Sequence, residues 1–154
     1  KFLIKKVMNL KRNSMMLVFS SMFLLSFGFV LSHGADGDPD VNQKVRNLAA
    51  IKKIKETKDI SLLYVKGLVC PSCALGIRIK VGKLPFVDSS RYKRGVDMDA
   101  KTQLITVALL PGVKADDKSL SLAIIAAGYD PVERYTMQEG KLKSHPFAKV
   151  KSSS

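Results

Sequence analysis

Apolar and polar positions follow three successive patterns along this chain. The first is a nearly unbroken apolar run from Met15 to Leu31, preceded by Lys11-Arg12. The second begins at Val41. Val41, Val45, Leu48 and Ile51 (or Ile54) recur at helical spacing, while Lys44, Arg46, Lys52, Lys53, Lys55 and Lys58 fill much of the remaining surface. This predicts a basic amphipathic helix whose apolar stripe packs on the domain behind it, with Asp38 as N-cap and Pro39 at the first helical position. The third pattern starts at Ile60, where ISLLYVKGL is rich in strand formers and breaks at Gly67.

After Gly67 the period becomes ambiguous. Ile77, Val81 and Leu84 keep a helical stripe that Pro85 ends, yet Leu75, Ile77, Ile79 and Val81 also alternate as a strand would. Val87 to Asp99 is polar and irregular, with Tyr92 and Val96 as its apolar points, and QLITVALL is a clear strand closed by Pro111-Gly112. Asp116 or Asp117 can cap a helix in which Leu120, Ile124 and Ala127 share a face, and Gly128 stops it. YDPVERY then reads as a last strand, with Pro131 favouring the sheet edge. The expected order is strand, helix, strand, strand, helix, strand, with Ile77, Val81, Leu104, Val107 and Ile124 in a shared core. The tail QEGKLKSHPFAKVKSSS shows no period and is expected to be mobile. The chain thus divides into residues 1–34, a leader at 35–59, a domain at 60–135 and a tail at 136–154.

Composition changes this picture in two places. The length of 154 residues allows one ordinary domain plus extensions. The charge of +13 falls to +8 once the five cationic residues ahead of the apolar run are set aside. The remaining Lys and Arg are not interleaved with aromatics, so no base-stacking platform is visible and no nucleic-acid partner is expected. A solvated basic surface is the plain reading, and attraction to anionic lipid or an acidic partner is the other. The run Met15–Leu31, followed by Ser32-His33-Gly34-Ala35, has the layout of a secretory signal cut after Ser32 or Gly34. Met8 would make a sensible start for it. Its 17 residues also reach the short limit of a membrane span, so a retained anchor is the alternative. In both cases the rest of the chain is exported.

The candidate chemistry lies in YVKGLVCPSC, Tyr64 to Cys73, which carries the only two cysteines. A strand that turns at Gly67 into a helix puts Cys70 in the loop and Cys73 in the first helical turn. Unpaired backbone N–H groups and the helix dipole favour thiolate there. Two thiolates separated by Pro71-Ser72 can converge on one soft cation. His33 and His145 are remote in sequence, so no closed four-ligand zinc set is encoded. Two sulfurs suit Cu(I) or Hg(II). No catalytic triad, carboxylate pair or phosphate-binding glycine loop is visible, so no enzyme is expected.

From about Ile60 to Tyr135 the chain resembles the heavy-metal-associated domain family, which includes copper metallochaperones, copper-ATPase N-terminal modules and the periplasmic mercury-binding protein. The family motif G-M-T-C-x-x-C is matched by Gly67-Leu68-Val69-Cys70-Pro71-Ser72-Cys73. Its first helix, then L-P-G-V, is matched by Ile77, Val81 and Leu84-Pro85-Phe86-Val87, and its closing I-x-x-A-G-Y by Ile124 to Tyr129. The resemblance favours helix after Cys73 and implies an α+β, ferredoxin-like βαββαβ sandwich. It further implies metal on Cys70 and Cys73, with Leu68, Pro71, Ser72 and Tyr129 around the ligands. Cu(I) is the first candidate and Hg(II) the second, passed to or from a transporter or ATPase, and the exported chain would be periplasmic. Leu68 replaces the family's Met, Val69 a hydroxyl residue and Phe86 a glycine, and the connection from Val87 to Thr102 is longer than usual. Two other functions fit the same residues: a thiol–disulfide redox protein, or an interaction module of the same fold with no metal.

Overall fold

A computed structural model of the protein describes residues 40–69 and 74–148, all within one unit, Ala35–Ser154. The fold is α+β. Its elements run α1 (Gln43–Glu56), β1 (Ile60–Lys66), α2 (Ala74–Val81), β2 (Val96–Asp99), β3 (Leu104–Ala108), α3 (Asp117–Ile125), β4 (Asp130–Gln138) and β5 (Lys141–Pro146). The five strands form one antiparallel sheet in the order β2-β3-β1-β4-β5. The arrangement is compatible with a ferredoxin-like fold carrying one additional strand.

The face covered by α2 and α3 is closed by aliphatic side chains. Leu63 and Val65 from β1 and Ile105 and Val107 from β3 meet Ile77 and Val81 of α2 and Leu120 and Ile124 of α3, all fully buried. The ambiguous segment after Cys73 is therefore helix: Ile77 and Val81 lie inward and Leu84 packs against the same core. Asp116 caps α3 by accepting a hydrogen bond from the Ser119 N–H at 2.9 Å, which fills one of the helix's unpaired donors. Val96, expected only as an apolar point, begins β2. The long connection before it is pinned to β3, with Ala108 N–H donating to Gly95 O and Asp88 N–H to Ala108 O.

Leu104 corrects the expected core. Successive strand residues face opposite sides, so Leu104 and Val107 cannot both point to α2 and α3. Val107 does, whereas Leu104 lies on the other face with Leu62, Tyr64, Tyr135 and Ala50 of α1.

The leader helix also forms differently from its sequence pattern. Asn42 is the cap, accepting from Lys44 N–H, and Asp38 and Pro39 lie outside the described residues. Only part of the expected stripe faces the sheet: Ile54 packs against Ala50, Leu62 and Tyr64, whereas Val45 is 51% and Leu48 69% exposed and Arg46 is buried in their stead. Arg46 wins the inward position because the sheet offers it the rings and hydroxyls of Tyr64 and Tyr135, which an aliphatic side chain cannot use.

The tail is the last correction. Residues 141–146 are not mobile coil but β5, paired along β4 from Gln138↔Lys141 to Glu133↔Pro146. Glu139 and Gly140 both have positive φ (49° and 74°), the conformation of a two-residue hairpin turn matched to strand twist. β4 is consequently an inner strand. Pro131 is tolerated because it lies beyond the reach of β5 and beside a register shift on β1, where a missing N–H costs little.

Candidate functional site

The sequence places its candidate chemistry where β1 ends, and three elements converge there. Gly67 turns the chain at φ 79°, a left-handed conformation that a Cβ would strain. Leu68 is fully buried in the α2–α3 core, so the loop is anchored immediately after the turn. Val69 follows at 44% exposure, and on the far side Leu75 is 59% exposed. Between them Ala74, the first residue of α2, is fully buried on the core side of the helix. Cys70, Pro71, Ser72 and Cys73, the expected ligands and two of their neighbours, lie outside the described residues.

The second wall comes from the turn between α3 and β4. Lys66 pairs with Asp130, so the next positions on the two strands, Gly67 and Tyr129, are neighbours across the sheet end. Gly128 at φ 88° closes α3, and the Tyr129 N–H donates to Ile124 O at 3.2 Å. Tyr129 is half-buried against the core. A Cβ on Gly76 would stand 3.6 Å from the Ala127 Cβ, which places the first turn of α2 against the end of α3. The sequence-predicted Leu68 and Tyr129 thus belong to one end of the molecule. His145 does not: it sits in β5 with its Nε2 2.8 Å from Thr136 Oγ1. Among the described residues no three His, Cys, Asp or Glu side chains gather in a metal-holding group.

Sequence reasoning missed a second cluster, on the opposite face of the sheet. The Arg46 guanidinium stacks 3.6 Å above the Tyr64 ring, its Nε donates to Tyr135 Oη at 3.3 Å and its Nη1 to Val41 O at 3.0 Å. Tyr64 Oη donates to the Asp40 carboxylate and Tyr135 Oη to Glu133. Burial, then the hydrogen bond to Asp40, pushes the Tyr64 phenol well above its ordinary 10.0. Burial and Glu133 push Tyr135 up to about 12, although Arg46 opposes the rise. Both phenols are held protonated, and the guanidinium is neutralised by Asp40, 4.0 Å away. Nothing in local sequence marks Arg46, since only the sheet brings Tyr64 and Tyr135 together. Chemically the cluster is a latch between α1 and the sheet.

In comparison with known proteins, no family model, no curated protein and no solved structure matches this chain.

Proposed function

We propose that this protein is an exported carrier of a soft metal ion, holding Cu(I), or alternatively Hg(II), on the thiolates of Cys70 and Cys73 and passing it to a partner. The observation that carries the reading is local: a sheet strand turns at Gly67, anchors through Leu68 and leads through exposed Val69 toward the cysteines, with α2 starting at Ala74 directly after Cys73. A thiol next to the first turn of a helix meets unpaired N–H groups, which favour the thiolate that soft metals require. Two thiolates satisfy such an ion, and a site open to solvent leaves access for an incoming thiolate, which transfer needs and a closed four-ligand site would block. Tyr129, next to Gly67 across the strand ends, would shield one side. The metal is cargo, and the partner would be a transporter or ATPase that supplies or accepts it. The sheet order further supports a ferredoxin-like βαββαβ plan with an added β5. The apolar run Met15–Leu31 supports export to the periplasm, whether cut or kept as an anchor.

The test is native mass spectrometry of the reduced protein titrated with Cu(I), Hg(II) and Zn(II). One Cu(I) or Hg(II) per chain is expected. Cys70→Ser and Cys73→Ser should each abolish tight binding while leaving the melting transition in place, and Tyr129→Phe should weaken binding only modestly. A double serine variant that still takes up one ion like the wild type would sink the proposal.

A further inference from the structure

Helix α1 turns part of its apolar side away from the sheet. The side that meets the sheet carries Arg46, Ala50, Lys53 and Ile54, whereas Lys44, Val45, Leu48, Lys52 and Lys55 are exposed and Ile51 is half-buried beside them. At a helical period of 3.6 these six residues fall on one arc centred on Leu48, with Val45 and Ile51 at its edges, the three lysines between them and no acid among the six. Leu48 is 69% exposed, the highest value for a large apolar residue among the described residues. The helix cannot roll over to hide it. Arg46 is fixed by two tyrosines on β1 and β4, and the Lys53 Nζ lies 2.8 Å from Asp97 on β2. Val45 and Leu48, which the fold holds outward among lysines with Glu56 the one acid at the edge of the arc, have no partner that buries them among the described residues.

We infer that this face of α1 docks on an anionic lipid surface. Charge complementarity selects the occupant: lysines set among exposed aliphatic side chains suit phosphate headgroups above acyl chains, into which Val45 and Leu48 would dip. Each lysine near an anionic leaflet contributes on the order of 1 kcal/mol, or about a fivefold change in the docked fraction. The sequence brings the helix within reach of such a surface. Only Ser32 to Asn42 separate it from the apolar run ending at Leu31, eleven residues that span at most about 40 Å when extended. If that run is cut away, α1 is the element that would keep the domain at the membrane. Docking through α1 leaves the opposite sheet face, with α2 and α3, turned to solvent.

The chain contains no tryptophan, so a single Leu48→Trp substitution reports on this face alone. The full-length protein would be reconstituted with vesicles of phosphatidylglycerol and phosphatidylcholine carrying brominated acyl chains. The expected result is blue-shifted emission and bromine quenching for Leu48→Trp. Lys118→Trp, on exposed α3 of the opposite sheet face, should show neither. The docked-to-undocked ratio read from quenching should fall about fivefold for each of Lys44→Gln, Lys52→Gln and Lys55→Gln, roughly a hundredfold for all three. Absence of quenching at Leu48→Trp would overturn the inference. So would equal quenching on pure phosphatidylcholine that the lysine variants leave unchanged. A blue shift that appears without vesicles and grows with protein concentration would replace the lipid by a second copy of the chain.

Discussion

The two faces of the sheet are held by different physics. Toward α2 and α3, thirteen buried residues, all apolar, form a continuous core. Toward α1 there are five, two of them tyrosines, and the central contact is an arginine. Dispersion and water exclusion close the first face. They are nondirectional and spread over many atoms, so one lost contact is shared among neighbours. The second face depends on a few directional contacts, each requiring its partner in place. The α2–α3 layer should therefore define global stability, and α1 should open as a separate, weaker unit.

The sharpest way to break this contrast is to hollow out the aliphatic side. Ile124→Ala removes a fully buried side chain from the centre of α3. It should cost roughly 2–5 kcal/mol in denaturant melts, as large-to-small core changes do. A loss below about half a kcal/mol would mean that α3 does not share the core of the sheet. Arg46→Ala probes the other side and should cost less, about 1–3 kcal/mol, by removing the stacked cation and leaving Tyr135 short of a donor. Its signature should be local: amides of α1 lose hydrogen-exchange protection while those of β1 and β3 keep theirs. Arg46→Met, which retains the packing stem, should recover part of the loss. Equal loss of protection at both faces would make the molecule one cooperative unit instead.

pH sharpens the same distinction. Tyr64 and Tyr135 have phenols raised above 10.0 in the folded state, Tyr135 to about 12. Below pH 10 the tyrosines are protonated in both states, so their contribution is fully present. As pH rises from 10 toward 12 the unfolded chain ionises first, and the contribution is progressively lost. The α1 face should accordingly weaken in that window. Absorbance at the phenolate band should show Tyr64 and Tyr135 ionising late, and Tyr135→Phe should remove one phenolate from that late rise. If the late rise keeps its full amplitude in Tyr135→Phe, the assignment to this residue is wrong.

How legible each face was in the sequence depends on the same physics. Burial of aliphatic side chains imprints a period on the sequence, so Leu120 and Ile124, a cap at Asp116 or Asp117 and the Gly128 stop could be read directly. The period around Ile77 and Val81 fitted a strand as well, and only the family resemblance favoured helix. Directional contacts imprint none. Arg46 counted as one more solvated cation because its partners, Tyr64 and Tyr135, are brought together only by β1–β4 pairing. The stripe Val45–Leu48 carried the right period on the wrong side for the same reason. β5 escaped because Leu142 is its only large apolar residue facing the α1 layer, and its signal was the turn Glu139-Gly140 rather than a period. Of the candidate site, Gly67 was readable as a turn, while Leu68 and Tyr129 came in only through the family resemblance. The cysteines' own conformation falls outside the described residues.

The smallest effect tests whether α1 is held at one point or two. Besides Arg46, the helix reaches the sheet through Lys53, whose Nζ contacts Asp97 at 2.8 Å and lies 5.4 Å from the Tyr92 ring centre. Burial alone would lower the lysine's pKa, but the hydrogen bond and charge of Asp97 outweigh it and hold it above 10.5. Both partners are about a third or more exposed, at 32% and 43%, so water and salt screen the attraction. A double-mutant cycle with Lys53→Met and Asp97→Asn should return only about 0.2–1 kcal/mol, smaller still in high salt. A raised lysine stabilises below its unfolded pKa and stops doing so as pH climbs through the folded one. Its loss therefore overlaps the tyrosine window, and the phenol titration is best repeated in Lys53→Met, where any remaining weakening of α1 belongs to Tyr64 and Tyr135. A coupling well above 1 kcal/mol would give α1 a second anchor comparable to Arg46. The contrast between the faces would then rest on the kind of contact and no longer on its strength.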